Sequence, residues 1–240
     1  MDANTTAQRF FASARKYTSS RAMALDGAHI PEQVYDELIE AVHEGLPLMY
    51  RYMQIRKQVM AVDELHMYDV YVPLTKSFEK KYTFEEAKTL VKDALSVMGE
   101  EYVSLLQEGF DNGWIDVCEN EGKRSGAYSW GSYDSHPYVL LNYHGSLSDV
   151  FTLAHEMGHA IHSYYSHKNQ PYVYAGYHIF VAEVASICNE MLLVQYLIGQ
   201  AKDMEEKKYL INYLLEQFRT TLYRQTMFAE FELKISEIVA

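Results

Sequence analysis

The chain has 240 residues, 48% hydrophobic and 22% charged, which is globular composition rather than disorder. A balance of 21 Lys and Arg against 33 Asp and Glu gives a formal charge of -12, which disfavours nucleic acid and anionic membrane surfaces as partners. Two distant cysteines, Cys118 and Cys188, exclude a disulfide framework, and the opening MDANTTAQRFFASARKY lacks the basic and apolar run of a secretory leader, so the expected location is cytoplasmic.

Most of the chain reads as helix. Pro31 stands where a helix begins, with Val34, Leu38 and Val42 following at helical spacing, and LPLMYRYMQIRKQVM reads as a second helix. Thr83 and Glu86 form a capping box that opens a long helix over 84–108, ending near Gly109. The stretch WIDVCENEGKRSGAYSWGSYDSHPYVLLNYHG then reads as short strands with glycine turns, PYVLLNY being the best strand. Ser146 and Asp149 box the next helix, over 147–166. Further helices follow over 179–198 and 203–221 and on to the end. Residues 179–198 are the most apolar, but Glu183, Asn189 and Glu190 among them argue against a membrane span. The expected fold is mainly α. It is one domain over 1–240, with a helical part at 1–110, a small antiparallel β region at 111–145 and site-bearing helices at 146–240.

Residues 152–167, TLAHEMGHAIHSYYSH, concentrate the chemistry. At about 100° per residue, Val150, Leu153, Met157, Ile161 and Tyr164 share one face, a core stripe, while His155, His159 and His162 share the other. No Lys or Arg occurs from 125 to 167, so the histidine face suits a cleft better than bulk water. His155 and His159, one turn apart, can meet one metal ion, and Glu156 lies round the helix within reach of a metal-bound water. That is the HExxH arrangement, with the glutamate as general base. A metzincin would continue with glycine at 162 and histidine at 165; the chain has His162 and Tyr165, which excludes that class. His162 is expected to form a channel wall rather than a ligand.

Catalytic zinc needs a third protein ligand. The segment FVAEVASICNEMLLVQYLIG is apolar nearly all round and is expected to be buried, with Cys188 in the core. Glu183, Ser186 and Glu190 share one stripe of it, with no Lys or Arg between Lys168 and Lys202. Unpaired buried carboxylates are costly, so these two need a partner, which zinc and its histidines would supply. Seven residues of helix span about 10.5 Å, so only one of them can be the ligand.

The ordered set HEMGHAIHS and FVAEVASICNE, with GKRSGAYSWG, PYVLLNY, ELHMYDVYVPL and TLYRQTMFAEFELKI, closely resembles the oligoendopeptidase F branch of the thimet-oligopeptidase family over essentially the whole chain. The resemblance implies a multi-helix zincin-type catalytic domain with a deep channel, and one zinc per chain held by His155, His159 and Glu183. It also implies that Glu156 activates a zinc-bound water to hydrolyse short peptides. The resemblance, not the helical wheel, selects Glu183 over Glu190. Glu190 is then expected to hydrogen-bond a ligand histidine or a neighbouring tyrosine. Gly126 and Ala127 are small enough to let a peptide backbone add as a strand, although they equally suit a turn. Family members are usually longer at both ends, so the expectation is a catalytic-domain fragment that binds zinc and is weakly active.

Two rivals remain. A di-metal carboxylate protein would pair Glu40-x-x-His43 with Glu156-x-x-His159 and add Glu183 and Glu190, but Glu40 points away from its helix's apolar stripe and His155 would be idle. A helical interaction module with a fortuitous motif predicts no stoichiometric metal.

Overall fold

The computed structural model describes residues 2–75 and 80–238. Its elements run α1 (Asp2–Ala14), α2 (Ser20–Asp26), α3 (Glu32–Met60), α4 (Phe84–Leu95), α5 (Glu100–Asp111), β1 (Ile115–Asp116), β2 (Tyr128–Trp130) and β3 (Tyr138–Leu140). There follow α6 (Leu147–Asn169), α7 (Ile179–Gln200), α8 (Met204–Gln217), a π-helical segment over Phe218–Tyr223, and α9 (Arg224–Ile238). Two compact units result, one of residues 1–76 with 211–240 and one of residues 77–210.

In the first unit α3 runs unbroken through Pro47, where two helices were expected. An internal proline removes one ladder hydrogen bond at a cost of about 3 kcal/mol. Packing of α3 against α9 and the π-helical segment offsets it, and the Tyr223 hydroxyl donates to the Gly45 carbonyl at 2.9 Å close by. Val42 is buried as expected, but Val34 and Leu38 are exposed. The buried Arg56 gathers this unit: its guanidinium reaches Glu216 Oε1 at 3.2 Å and donates to the carbonyls of Asp69 and Val72 at 3.1 and 2.6 Å.

In the second unit the Thr83–Glu86 capping box closes both ways, at 3.2 Å from the Glu86 N–H and 2.7 Å from the Thr83 N–H. The helix it opens stops at Leu95 rather than near Gly109. A 3₁₀ turn over Ser96–Met98 and Gly99, at φ +94°, divides it from α5; a side chain at that φ would be strained, and the break lets α4 and α5 fold back on one another. The sheet order is β1-β3-β2. β2 pairs antiparallel to β3, Ser129 opposite Val139, whereas β1 pairs parallel to it, Ile115 opposite Val139. The sheet is therefore mixed rather than antiparallel. A short turn bonded through Ser132 and Ser135 makes β2 and β3 a hairpin, while the longer loop after β1 carries the chain past the β3 position before it returns.

α6 and α7 form the centre of this unit, with Leu153, Met157, Ile161 and Leu193 fully buried between the layers. α7 is long and apolar enough to cross a membrane by length and composition, but its inner face packs on α6. Its outer face is not buried as expected: Ile179 is 81% and Val184 66% exposed, and Cys188 is exposed rather than in the core.

Candidate metal centre

The Ser146–Asp149 capping box fixes the start of α6, with the Asp149 N–H donating to Ser146 Oγ at 3.1 Å and the Ser146 N–H to the Asp149 carboxylate at 2.8 Å. From there the apolar stripe of Val150, Leu153, Met157 and Ile161 turns inward, leaving His155, His159 and His162 half-buried on the cleft side. Gly158 then decides how near α7 can come. A Cβ on Gly158 would lie 2.8 Å from Ser186 Cα and 3.0 Å from the Ala185 carbonyl oxygen, so the two backbones touch where only glycine fits.

That close approach brings three side chains together. Glu183 Oε2 lies 3.3 Å from His155 Nε2 and 3.4 Å from His159 Nε2, and the two imidazole nitrogens are 3.1 Å apart. Four tetrahedral ligands each about 2.0–2.1 Å from zinc stand about 3.3–3.4 Å from one another. A two-imidazole, one-carboxylate donor set at these separations fits zinc. Among the described residues these three form the cluster able to hold a metal, and neither Glu40 nor His43 joins it. His43 instead meets Glu230 at 2.8 Å.

Each member of the cluster is held from behind. Glu190 Oε1 lies 2.5 Å from His155 Nδ1, turning the opposite nitrogen toward Glu183. His159 hydrogen-bonds the backbone of Ala182, in the first turn of α7. Ser186, fully buried, donates to Glu183 Oε2 at 2.7 Å. Burial by itself lowers the pKa of His155, but the hydrogen bond and charge of Glu190 outweigh it and hold the ring above its ordinary value. Burial pushes the pKa of His159 down.

Glu156, between the two histidines in sequence, is 6% exposed. Burial is the main reason its pKa rises to about 6, with the Glu183 and Glu190 carboxylates adding to it and the His155 charge and a backbone bond from Ser129 opposing it. Its Oε2 is buried with no hydrogen-bond partner among the described residues.

The Ser129 bond puts β2, an edge strand, alongside Glu156. Gly126 and Ala127 immediately precede β2. Gly126 sits at φ +90° with its carbonyl accepting from the Asn142 side chain at 2.8 Å, so its turn conformation accounts for the glycine whether or not a peptide binds there. Both residues line a cavity of about 350 Å³ with Asn142, Tyr143 and Thr152.

Asn189, which in the sequence argues only against a membrane span, has a structural role that the sequence does not reveal. It is 1% exposed, donates to the Ala154 carbonyl at 2.9 Å and accepts from the Tyr102 hydroxyl at 2.9 Å, tying α7 to α6 one residue before His155 and to α5. Gly158 was also passed over. An amide in an otherwise apolar helix, and a glycine within the histidine motif, were the available signals.

Peptidase family M3 matches residues 1–237. Oligopeptidase PepF of Bacillus subtilis is 52% identical over 223 residues, covering 93% of this chain and 33% of its own length. Chromosomal oligoendopeptidase F of Lactococcus lactis subsp. cremoris is 46% identical over 240 residues, 100% of this chain and 40% of its own. A crystal structure from Chlamydophila abortus superposes with a TM-score of 0.91 at 45% identity, over 98% of this chain and 40% of that one. The chain thus spans roughly a third to two-fifths of the length of these relatives.

Proposed function

The chain belongs to peptidase family M3, and from that premise we propose that it carries the zinc centre of an endopeptidase that hydrolyses short peptides. The observation that carries this reading is the convergence of His155 Nε2, His159 Nε2 and Glu183 Oε2, 3.1–3.4 Å apart. These three residues would hold one zinc ion per chain. When bound, zinc supplies Lewis acidity, polarising the scissile carbonyl and acidifying water. Glu156 takes the proton of the attacking water and returns it to the leaving amine. Its pKa of about 6 suits a group that must both accept and release a proton near neutrality. Glu190 keeps the His155 ring in the ligating orientation. The open edge of β2, led by Gly126 and Ala127, offers backbone groups along which an extended peptide lies as an added strand.

The activity is proposed for the whole protein, of which these residues match a part in the relatives. The formal charge of -12 disfavours nucleic acid and anionic lipid as partners. Two exposed free cysteines, Cys118 and Cys188, favour the cytoplasm as the compartment. Elemental analysis of the intact protein, paired with a fluorogenic peptide assay on wild type and Glu156→Gln, tests the assignment. One zinc per chain is expected in both, with turnover about 10²–10⁴-fold lower in the variant. A folded wild type without stoichiometric zinc, or a variant with undiminished turnover, overturns it.

A further inference from the structure

His162 lies one turn beyond His159 on α6 and takes no part in the cluster. Its ring lies flat on Tyr177, centroids 3.9 Å apart and planes 13° from parallel. Its Nδ1 is buried and has no hydrogen-bond partner among the described residues, so the stack rather than this nitrogen occupies the ring. Two more contacts run in parallel. The Tyr177 hydroxyl pairs with Ser163 Oγ at 2.8 Å, and Ser166 Oγ donates to the Ala175 carbonyl at 2.5 Å. Three successive side chains on one face of α6 thus grip residues 175–177, which lead directly into α7.

The N-terminal part of α7 is where the cluster is completed. Ala182 bonds His159 through its backbone, and Glu183 supplies the carboxylate. Ile179, Phe180 and Val181, which open α7, are exposed, so these three side chains do little to fix this end of the helix. We infer that His162 is a positioning residue: by stacking on Tyr177 it anchors the loop that sets where α7 begins, and so places Glu183 against His155 and His159. This rests on the zinc reading above for its consequence, but not for the clamp itself.

The test uses the intact protein and zinc alone as probe. His162→Ala and Tyr177→Ala are expected to weaken zinc binding about 10-fold or more, the scale of a lost supporting contact at a metal site, as read by competition with a chelator. His162→Phe keeps a flat ring and is expected to restore affinity close to wild type, which a general loss of stability would not do. Hydrogen exchange on the metal-free proteins is expected to show faster exchange at amides 179–183 in the two alanine variants and wild-type exchange in His162→Phe. Should His162→Ala fail to fold, Tyr177→Ala, altered in a loop, decides the matter. Folded alanine variants with wild-type zinc affinity and wild-type exchange overturn the clamp. If the wild type binds no zinc, the metal reading falls, and exchange at 179–183 still decides the clamp.

Discussion

Glu190 contributes a hydrogen bond whose value lies in where it holds a ring. With Nδ1 of His155 engaged at 2.5 Å, the imidazole cannot turn its Nε2 away from Glu183. Glu190→Ala is expected to weaken zinc affinity about 10- to 100-fold while leaving the fold intact, as measured by chelator competition beside circular dichroism. Asn189 has the opposite profile, acting on stability. Asn189→Leu would leave the Tyr102 hydroxyl without its acceptor and the Ala154 carbonyl with only its bond inside α6, and an unsatisfied buried group costs about 1–3 kcal/mol. Chemical denaturation should register that loss, with Asn189→Asp less severe because one oxygen still accepts from Tyr102. Burial of the Tyr102 hydroxyl, the main cause of its pKa near 12, keeps it a donor at all ordinary pH.

Among elements, the α6–α7 contact decides whether a site exists. Two helices ordinarily pack 8–10 Å apart, and glycine at 158 lets backbone meet backbone. In Gly158→Ala the added methyl meets Ser186 Cα and the Ala185 carbonyl, main-chain atoms that cannot rotate away. α7 must then shift, carrying Glu183 with it. Overpacking of this kind costs about 1–3 kcal/mol, and the variant is expected to lose zinc affinity as well as melting temperature. A variant that melts lower yet binds zinc like wild type would separate packing from site geometry and refute the link.

At the scale of the whole molecule, the two units differ in how they use charge. The unit of residues 77–210 holds Glu183 and Glu190 against the histidines of a candidate metal site, whereas the other holds Glu216 against two arginines. Burial by itself raises the Glu216 pKa, but hydrogen bonds from Arg219 and Tyr52 and the charges of Arg219 and Arg56 outweigh it and hold the carboxyl below its ordinary 4.5. A carboxylate with a depressed folded pKa stabilises the fold fully above its unfolded pKa. That contribution is lost as pH falls below 4.5 through the lowered value. Acid denaturation is therefore expected to set in below pH 4.5, and Glu216→Gln to be less stable at neutrality with a flatter acid limb. Melting curves against pH for both proteins check the sign.

The mainly helical class, the two capping boxes and the inward stripe of α6 were legible in the sequence because each rests on contacts three or four residues apart. The same local geometry puts His155 and His159 on one face and singles out Glu183 and Glu190 as acids without a nearby cation. Spacing along one helix cannot say which of those two acids meets both histidines. That depends on how α7 lies across α6, which Gly158, Asn189 and the loop held by His162 govern through contacts distant in sequence. The parallel pairing of β1, the continuity of α3 through Pro47 and the exposed outer face of α7 were hidden for the same reason. Local pattern tells a helix which residues share a face. Only the packed chain decides what that face meets, because the energy that chooses among partners comes from non-local burial and hydrogen bonding.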